Sequence, residues 1–492
     1  MNNKVAIRRL ATGVPGLDAV LGGGLPEFSF NLITGPPGSG KTTLAHQIMF
    51  ALATRERPAL FFTVLGEPPL KMLRYQQQFS FFDLSKINES IRFVNLSDDV
   101  ATGSFDHVLA RITEEVEAFS PGLVFVDSFR SVMLEAPHQP QGTITLQQFI
   151  QQLGIQLSGW QATSFLIGEY LSESNPHPVF TVADGLLSLD QSVHRNSMVR
   201  KLQILKMRGQ ATSPGVHTFR ITGDGIEVFP AAVVRDDTGA RPDRAASPRS
   251  EARVAMGVPR LDKMLGGGLP SGYSLLVAGP SGSGKTILAT AFLVEGVRRG
   301  EPGVIVAFEQ TPSQSRTRTI NDMVHAGKIG LINTRSLDLS IDEIVHHLVT
   351  LITRMKATRV VIDSLSGFEL AVAPSFREDF RESLFRMVAV LSGLGVTVLM
   401  TSELEDRYTD LRFSPNGSAF LTDAIIVQRY VEIGSCLKRV ISVVKVRASA
   451  HSTEIRQFEI TDAGIVIGEP VLDYEGLLGG RPTRTAELDM VA

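Results

Sequence analysis

GPPGSGKT, Gly35 to Thr42, and GPSGSGKT, Gly279 to Thr286, are two full copies of a phosphate-binding loop in one chain, each opening a stretch rich in helix formers. In such a loop the glycines let backbone N–H groups close around phosphate oxygens at a helix N-terminus. A lysine (Lys41, Lys285) neutralises phosphate charge, and a threonine hydroxyl (Thr42, Thr286) is suited to Mg²⁺. The residues read as cradling ATP are Gly35, Gly38, Ser39, Gly40, Lys41, Thr42 and Thr43 in the first copy. In the second they are Gly279, Gly282, Ser283, Gly284, Lys285 and Thr286. One such match arises by chance now and then; two at equivalent places of a repeat make chance a poor explanation.

The repeat extends well beyond the loops. TGVPGLDAVLGGGLP (Thr12 to Pro26) precedes the first and MGVPRLDKMLGGGLP (Met256 to Pro270) the second. Gly279 lies 244 residues after Gly35 (279 − 35), and Asp363, closing the apolar run RVVID, lies 236 after Asp127, closing LVFVD (363 − 127). The near-equal offsets leave only small insertions. This reading divides the chain into a first domain over 1–232, a linker over 233–253, a second domain over 254–480 and a tail over 481–492. The linker is rich in charge, proline and small residues without apolar periodicity.

A chain of 492 residues with 43% hydrophobic content can bury substantial cores. The formal net charge of −3 comes from interspersed charges of both signs, which argues against a large nucleic-acid or anionic-membrane surface. A single cysteine, Cys436, excludes an intramolecular disulfide. The start MNNKVAIRRL has no apolar signal core, and no run is long and apolar enough for a membrane span, so a cytoplasmic protein is expected.

Within each repeat, short runs rich in Val, Ile and Phe alternate with longer amphipathic stretches; SLLVAG, GVIVAFE, RVVID, TVLMTSE and AIIVQRY are those of the second. Such alternation predicts an α/β fold, a mainly parallel sheet covered by helices on both faces, with ligands at the strand carboxyl ends. Phosphoryl transfer there needs a cradle, a metal anchor and a group that orients or deprotonates water. Asp127 and Asp363 end apolar strands and are read, with Thr42 and Thr286, as the Mg²⁺ residues, although strand-end aspartates also cap ordinary turns. Glu309 in VAFEQTP and Glu67 in FFTVLGEPP are the candidates for activating water, with Glu169 and Glu403 as alternatives. Lys206 and Arg208 in LKMRG, and Lys445 and Arg447 in VKVRA, alternate on late strands, so each pair is expected on one strand face. Two adjacent cations repel unless an anion joins them, and a γ-phosphate held by a neighbouring subunit would serve.

With these residues in view the chain resembles the KaiC family, the double-domain RecA-type ATPases named for the circadian clock protein. The likeness rests on both GVPxLDxxLGGGLP segments, both P-loops, FEQTP, the aspartate–serine pairs at 127–128 and 363–364, LKMRG with its counterpart, and LDYEGLLGGRPTRT near the end. The resemblance implies two tandem RecA-like domains, two stacked rings of six, ATP with Mg²⁺ at subunit boundaries, slow hydrolysis and, in clock members, a serine/threonine autokinase in the second ring. It also leaves room for a KaiB-like protein partner. The adjacent Ser-Thr acceptor pair of clock members is replaced here by Ala419 and Phe420, with Ser414, Ser418 and Thr422 as the nearest hydroxyls, and the short tail argues against a KaiA-type partner.

A RecA- or RadA-like DNA-dependent ATPase is the competing reading, because the core is shared. It would need an added DNA-binding or zinc module, for which one cysteine and 34 residues ahead of Gly35 leave no room, and a basic, aromatic stretch that the sequence lacks.

Overall fold

The computed structural model describes residues 7–63, 69–101, 104–127, 146–169, 179–194, 197–231, 252–308, 318–333, 340–372, 380–404, 421–479 and 482–484. The chain divides into two units, Met1–Ala231 and Ala232–Ala492.

The first unit is built on nine strands: β1 (Phe30–Thr34), β2 (Ala59–Thr63), β3 (Ile91–Asn95), β4 (Leu123–Asp127), β5 (Thr163–Gly168), β6 (Gly185–His194), β7 (Ser197–Met207), β8 (Val216–Thr222) and β9 (Gly225–Phe229). They lie in the order β9-β8-β7-β6-β1-β5-β4-β2-β3. Strands β1 to β6 run parallel, and β7 to β9 extend the sheet as an antiparallel ladder from β6. The second unit repeats this order with β10 (Ser274–Gly279), β11 (Gly303–Ala307), β12 (Ile329–Asn333), β13 (Arg359–Asp363), β14 (Thr397–Glu403), β15 (Ala424–Ile433), β16 (Cys436–Val446), β17 (Arg456–Thr461) and β18 (Gly464–Pro470). Each unit is thus a mainly parallel sheet flanked by helices.

Side chains alternate across these strands, so neighbours in sequence enter different cores. In the first unit Ile33, Phe61, Phe125 and Phe165 pack beneath the helix Lys41–Leu52. Leu32, Leu60, Phe62, Val124 and Val126 pack on the opposite face, against the helices Phe105–Phe119 and Leu146–Gly159. Phe125 stacks on Phe165 with ring centroids 4.6 Å apart. Each fully buried phenylalanine contributes about 1.5–3 kcal/mol relative to exposure. Both faces being apolar explains why the runs are continuous, as required of a parallel sheet covered on both sides.

In the second unit Arg359 opens β13 and is 1% exposed. Its guanidinium donates to Glu301 Oε2 (2.8 and 2.6 Å), Ala255 O (2.7 Å) and Phe292 O (2.8 Å), and lies 4.7 Å from the Phe292 ring centre. Gly296, inside the helix Lys285–Arg298, leaves room for it: a Cβ there would sit 2.6 Å from Arg359 Cδ.

The GVPxLD segments are fastened by their aspartates. Asp18 Oδ1 accepts from the Thr12 backbone N–H and hydroxyl, and Asp262 Oδ1 accepts from Met256 N–H. Most of the sequence-read linker lies outside the described residues, but Arg253, its last residue, pairs with Val254 against Leu269–Pro270. Thr483–Arg484, within the sequence-read tail, pairs with Tyr474–Glu475.

Candidate functional site

Both loops connect a central strand, β1 or β10, to a helix, Lys41–Leu52 or Lys285–Arg298. The residue before each helix is a glycine in the left-handed region, Gly40 at φ 100° and Gly284 at φ 102°, with no side-chain cap. The helices Phe105–Phe119 and Ile341–Met355 contrast with this. Ser104 and Ser340 cap them by accepting from the N–H of His107 and Glu343. The loop helices therefore present uncapped first-turn N–H groups, the arrangement that receives an anion. Gly40 also has no room for a side chain, since a Cβ would meet Ile221 Cδ1 at 2.9 Å.

Lys41 Nζ donates to the carbonyls of Gly35 and Pro36, both at 2.8 Å, and Lys285 Nζ to those of Gly279 (2.8 Å) and Pro280 (2.7 Å). Burial lowers both lysine pKa values. Glu169 and Asp127 oppose this at Lys41, and Glu403 and Asp363 at Lys285. These glutamates, which end or follow β5 and β14, are thus electrostatic neighbours of the loop lysines.

At the carboxyl end of β4, Asp127 Oδ2 accepts from Thr42 Oγ1 at 2.7 Å. Burial pushes the Asp127 carboxyl up to about 6, against the opposing effects of that hydrogen bond and the Lys41 charge. In the second unit Asp363 Oδ1 accepts from Thr401 Oγ1, on the neighbouring strand β14. A convergent hydroxyl and carboxylate are hard oxygen donors, the set that Mg²⁺ takes beside phosphates, so Thr42 with Asp127 fit that ion, and Thr286 and Asp363 are the same residue types at the equivalent places of the second unit. Ser364 accepts from Gly367 N–H and caps the helix Leu365–Ala371, a structural role.

The cation pairs differ in detail from the strand-face expectation. In β7 and in β16 the register shifts before the lysine, so that Lys206 faces Leu186 while Ile204 faces Leu187, and Lys445 faces Ile425 while Val443 faces Ile426. The extra residue, Leu205 or Val444, forms a bulge that re-aims the lysine, and Arg208 and Arg447 lie one position beyond their strands. Lys206 Nζ donates to the carbonyls of Phe180 and Thr181, and Lys445 Nζ to that of Thr422. Arg208 pairs with Asp184 at 3.1 Å and Arg447 with Asp423 at 3.7 Å. Burial and the adjacent arginine lower both lysine pKa values. An anion of the same chain therefore joins each pair, and repulsion alone no longer argues for a neighbour's phosphate.

Glu67, Glu309, Gln310, Ser128, Ser414, Ser418, Ala419 and Phe420 lie outside the described residues. Thr422 is fully buried. Residues that motif reading missed support the loops from the next strand: Gln191 Nε2 donates to Pro37 O at 3.0 Å, and Ser283 Oγ donates to Gln428 Oε1 at 3.2 Å. Gln428, directly after the apolar run AIIV, was the available signal in the second unit; Gln191, between Asp190 and Ser192, gave none. Among the described residues no helix is long and apolar enough to cross a membrane, and no cluster of three His, Cys, Asp or Glu side chains is poised to hold a metal by itself.

A family model described as "ATPase: KaiC" matches residues 10–233 and again 254–471. The chain is 29% identical to the circadian clock oscillator protein KaiC of Picosynechococcus sp., over 98% of this chain and 93% of that protein. It is 28% identical to the circadian clock oscillator protein KaiC 1 of Synechocystis sp. (97% and 92% covered) and 28% identical to the circadian clock protein KaiC3 of the same organism (98% and 96%).

Proposed function

The chain belongs to the KaiC family of ATPases, and on that premise we propose that each unit binds one ATP with Mg²⁺ and hydrolyses it slowly, six chains forming a ring whose nucleotide state sets conformation and partner choice. The observation that carries this reading is the repetition, in both units, of an uncapped glycine-led helix, a half-buried lysine on the loop carbonyls and a strand-end aspartate. Lys41 and Lys285 exchange the carbonyls they hold for phosphate oxygens, an exchange that their burial favours because an anion compensates a desolvated ammonium better than a carbonyl does. Thr42 with Asp127, and Thr286 with Asp363, hold Mg²⁺, which when bound draws charge from the phosphate oxygens. The helix N–H groups and lysines are fixed where charge develops, so they stabilise the transferring phosphoryl group without reorganising.

Glu309 and Glu67 are assigned to orienting water, and Arg208 and Arg447 to completing the site of the neighbouring copy once they leave Asp184 and Asp423. The buried position of Thr422 and the residues at 419 and 420 favour water over a chain hydroxyl as nucleophile, so serine/threonine autokinase activity is not part of this reading. A KaiB-like protein as one such partner, and a cytoplasmic location, complete the proposal. Native mass measurement with and without ATP, coupled to phosphate release, tests the proposal. Sixfold assembly with turnover is expected, and a monomer without turnover in saturating Mg²⁺-ATP refutes it.

A further inference from the structure

The two units treat their strand-end aspartates differently. β4 and β5 run in parallel with Asp127 opposite Ile167. β13 and β14 keep the same register, Ile362 facing Met400, which sets Asp363 opposite Thr401. The first unit thus has an aliphatic side chain where the second has a hydroxyl, and Thr401 is fully buried and donates to Asp363 Oδ1. A second difference lies on the other side of the central strand. Gln428 of β15 holds Ser283, whereas β6 carries Leu189 at the matching place. There the Ser39 hydroxyl is buried with no hydrogen-bond partner among the described residues. In the second unit both strands flanking β10 thus give polar support, Thr401 to Asp363 and Gln428 to Ser283, whereas in the first the support comes from β6, through Gln191 on Pro37.

We propose that Thr401 is a positioning residue for Mg²⁺ in the second unit, fixing the Asp363 carboxylate before the ion arrives. This rests on the ATPase reading above. A hydroxyl bonded to one carboxylate oxygen locks the side-chain rotamer and leaves the other oxygen its lone pairs, so the ion need not order its own ligand. In the first unit Asp127 is bonded instead to Thr42, a residue assigned to the same ion, so its carboxylate has no positioning hydroxyl from outside the residues that would hold the metal. The two sites are accordingly unequal in Mg²⁺ demand, the second filling at lower concentration.

The test uses the full chain with Lys41→Ala, so that a fluorescent ATP analogue reports on the second unit, titrated with Mg²⁺ and, in parallel, with Mn²⁺ followed by electron paramagnetic resonance. Thr401→Val, which keeps the shape and removes the hydroxyl, is expected to raise the metal midpoint about 10–100-fold, while Thr401→Ser stays within about threefold of its parent. Metal-free analogue binding is expected to be the same in all three. An unmoved midpoint in Thr401→Val, an equal loss in Thr401→Ser, or an equal loss with and without metal overturns the role of Thr401 while leaving the ATPase reading intact. A parent that binds no analogue overturns both.

Discussion

Replacing Arg359 by methionine keeps most of the volume at the start of β13 and removes the guanidinium. The carbonyls of Ala255 and Phe292, which accept at 2.7 and 2.8 Å, are then left inside the core without those donors. The Ala255 carbonyl, stripped of this donor, costs about 1–3 kcal/mol, while the Phe292 carbonyl, inside the helix Lys285–Arg298, keeps its helical donor and costs less. Glu301 suffers less, because its side chain is 38% exposed and water can take over. Loss of the contact with the Phe292 ring adds a smaller amount. Together these give about 2–4 kcal/mol. At about 2–4 °C per kcal/mol for a domain of this order of size, the thermal transition of the second unit falls by about 4–16 °C. Glu301→Gln, which keeps an acceptor at the surface end, should cost about 1 kcal/mol. Calorimetry of the two variants beside the parent measures both. A shift under about 2 °C for Arg359→Met, or one no larger than that of Glu301→Gln, would refute the argument that the buried carbonyls depend on this side chain.

Three further outcomes are expected. Lys41→Ala and Lys285→Ala each remove a charge-assisted phosphate contact of about 1.5–3 kcal/mol, so each should weaken one of two nucleotide sites about 10–100-fold and halve the stoichiometry seen by calorimetric titration. Gly40→Ala combines a left-handed φ of 100° with a 2.9 Å approach to Ile221 Cδ1, and should lower nucleotide affinity at the first unit more than Gly300→Ala, a turn glycine with open space around it, lowers it at the second; equilibrium binding compares them. His46 is buried in the first unit, which pushes its imidazole from 6.5 down to about 4 against the opposing effect of Gln76, so between those values the unfolded chain binds the proton and the folded one does not. Stability contributed by this group is therefore full above pH 6.5 and falls as pH drops to 4, by about 3 kcal/mol, whereas Asp127, raised to about 6, works in the opposite direction between pH 6 and 3.8. Chemical denaturation of His46→Leu across that window should show a flatter fall than the parent, and an unchanged profile would remove His46 from the account.

The parallel half of each sheet was legible because both of its faces are covered, which makes its strands continuous apolar runs; SLLVAG and TVLMTSE coincide with β10 and β14. The antiparallel ladder β7 to β9 was less so, since one-sided burial breaks the runs with charge. The loop glycines and lysines announced themselves by spacing that only a phosphate cradle requires. The bulges before Lys206 and Lys445 did not, because a one-residue slip leaves no mark in composition. Asp184 and Asp423 as the anions beside Arg208 and Arg447 were hidden for a similar reason: the pairing is made by folding residues about two dozen positions apart against each other, through a register that the sequence does not print.

The doubled bulge carries a historical consequence. A local irregularity at the same place in both halves, steering the same kind of side chain toward the same kind of carbonyl, is most simply inherited from a single progenitor module that already possessed it before the gene doubled. Thr401 where the first half has Ile167, and Gln428 where it has Leu189, are by the same logic later divergence between the halves.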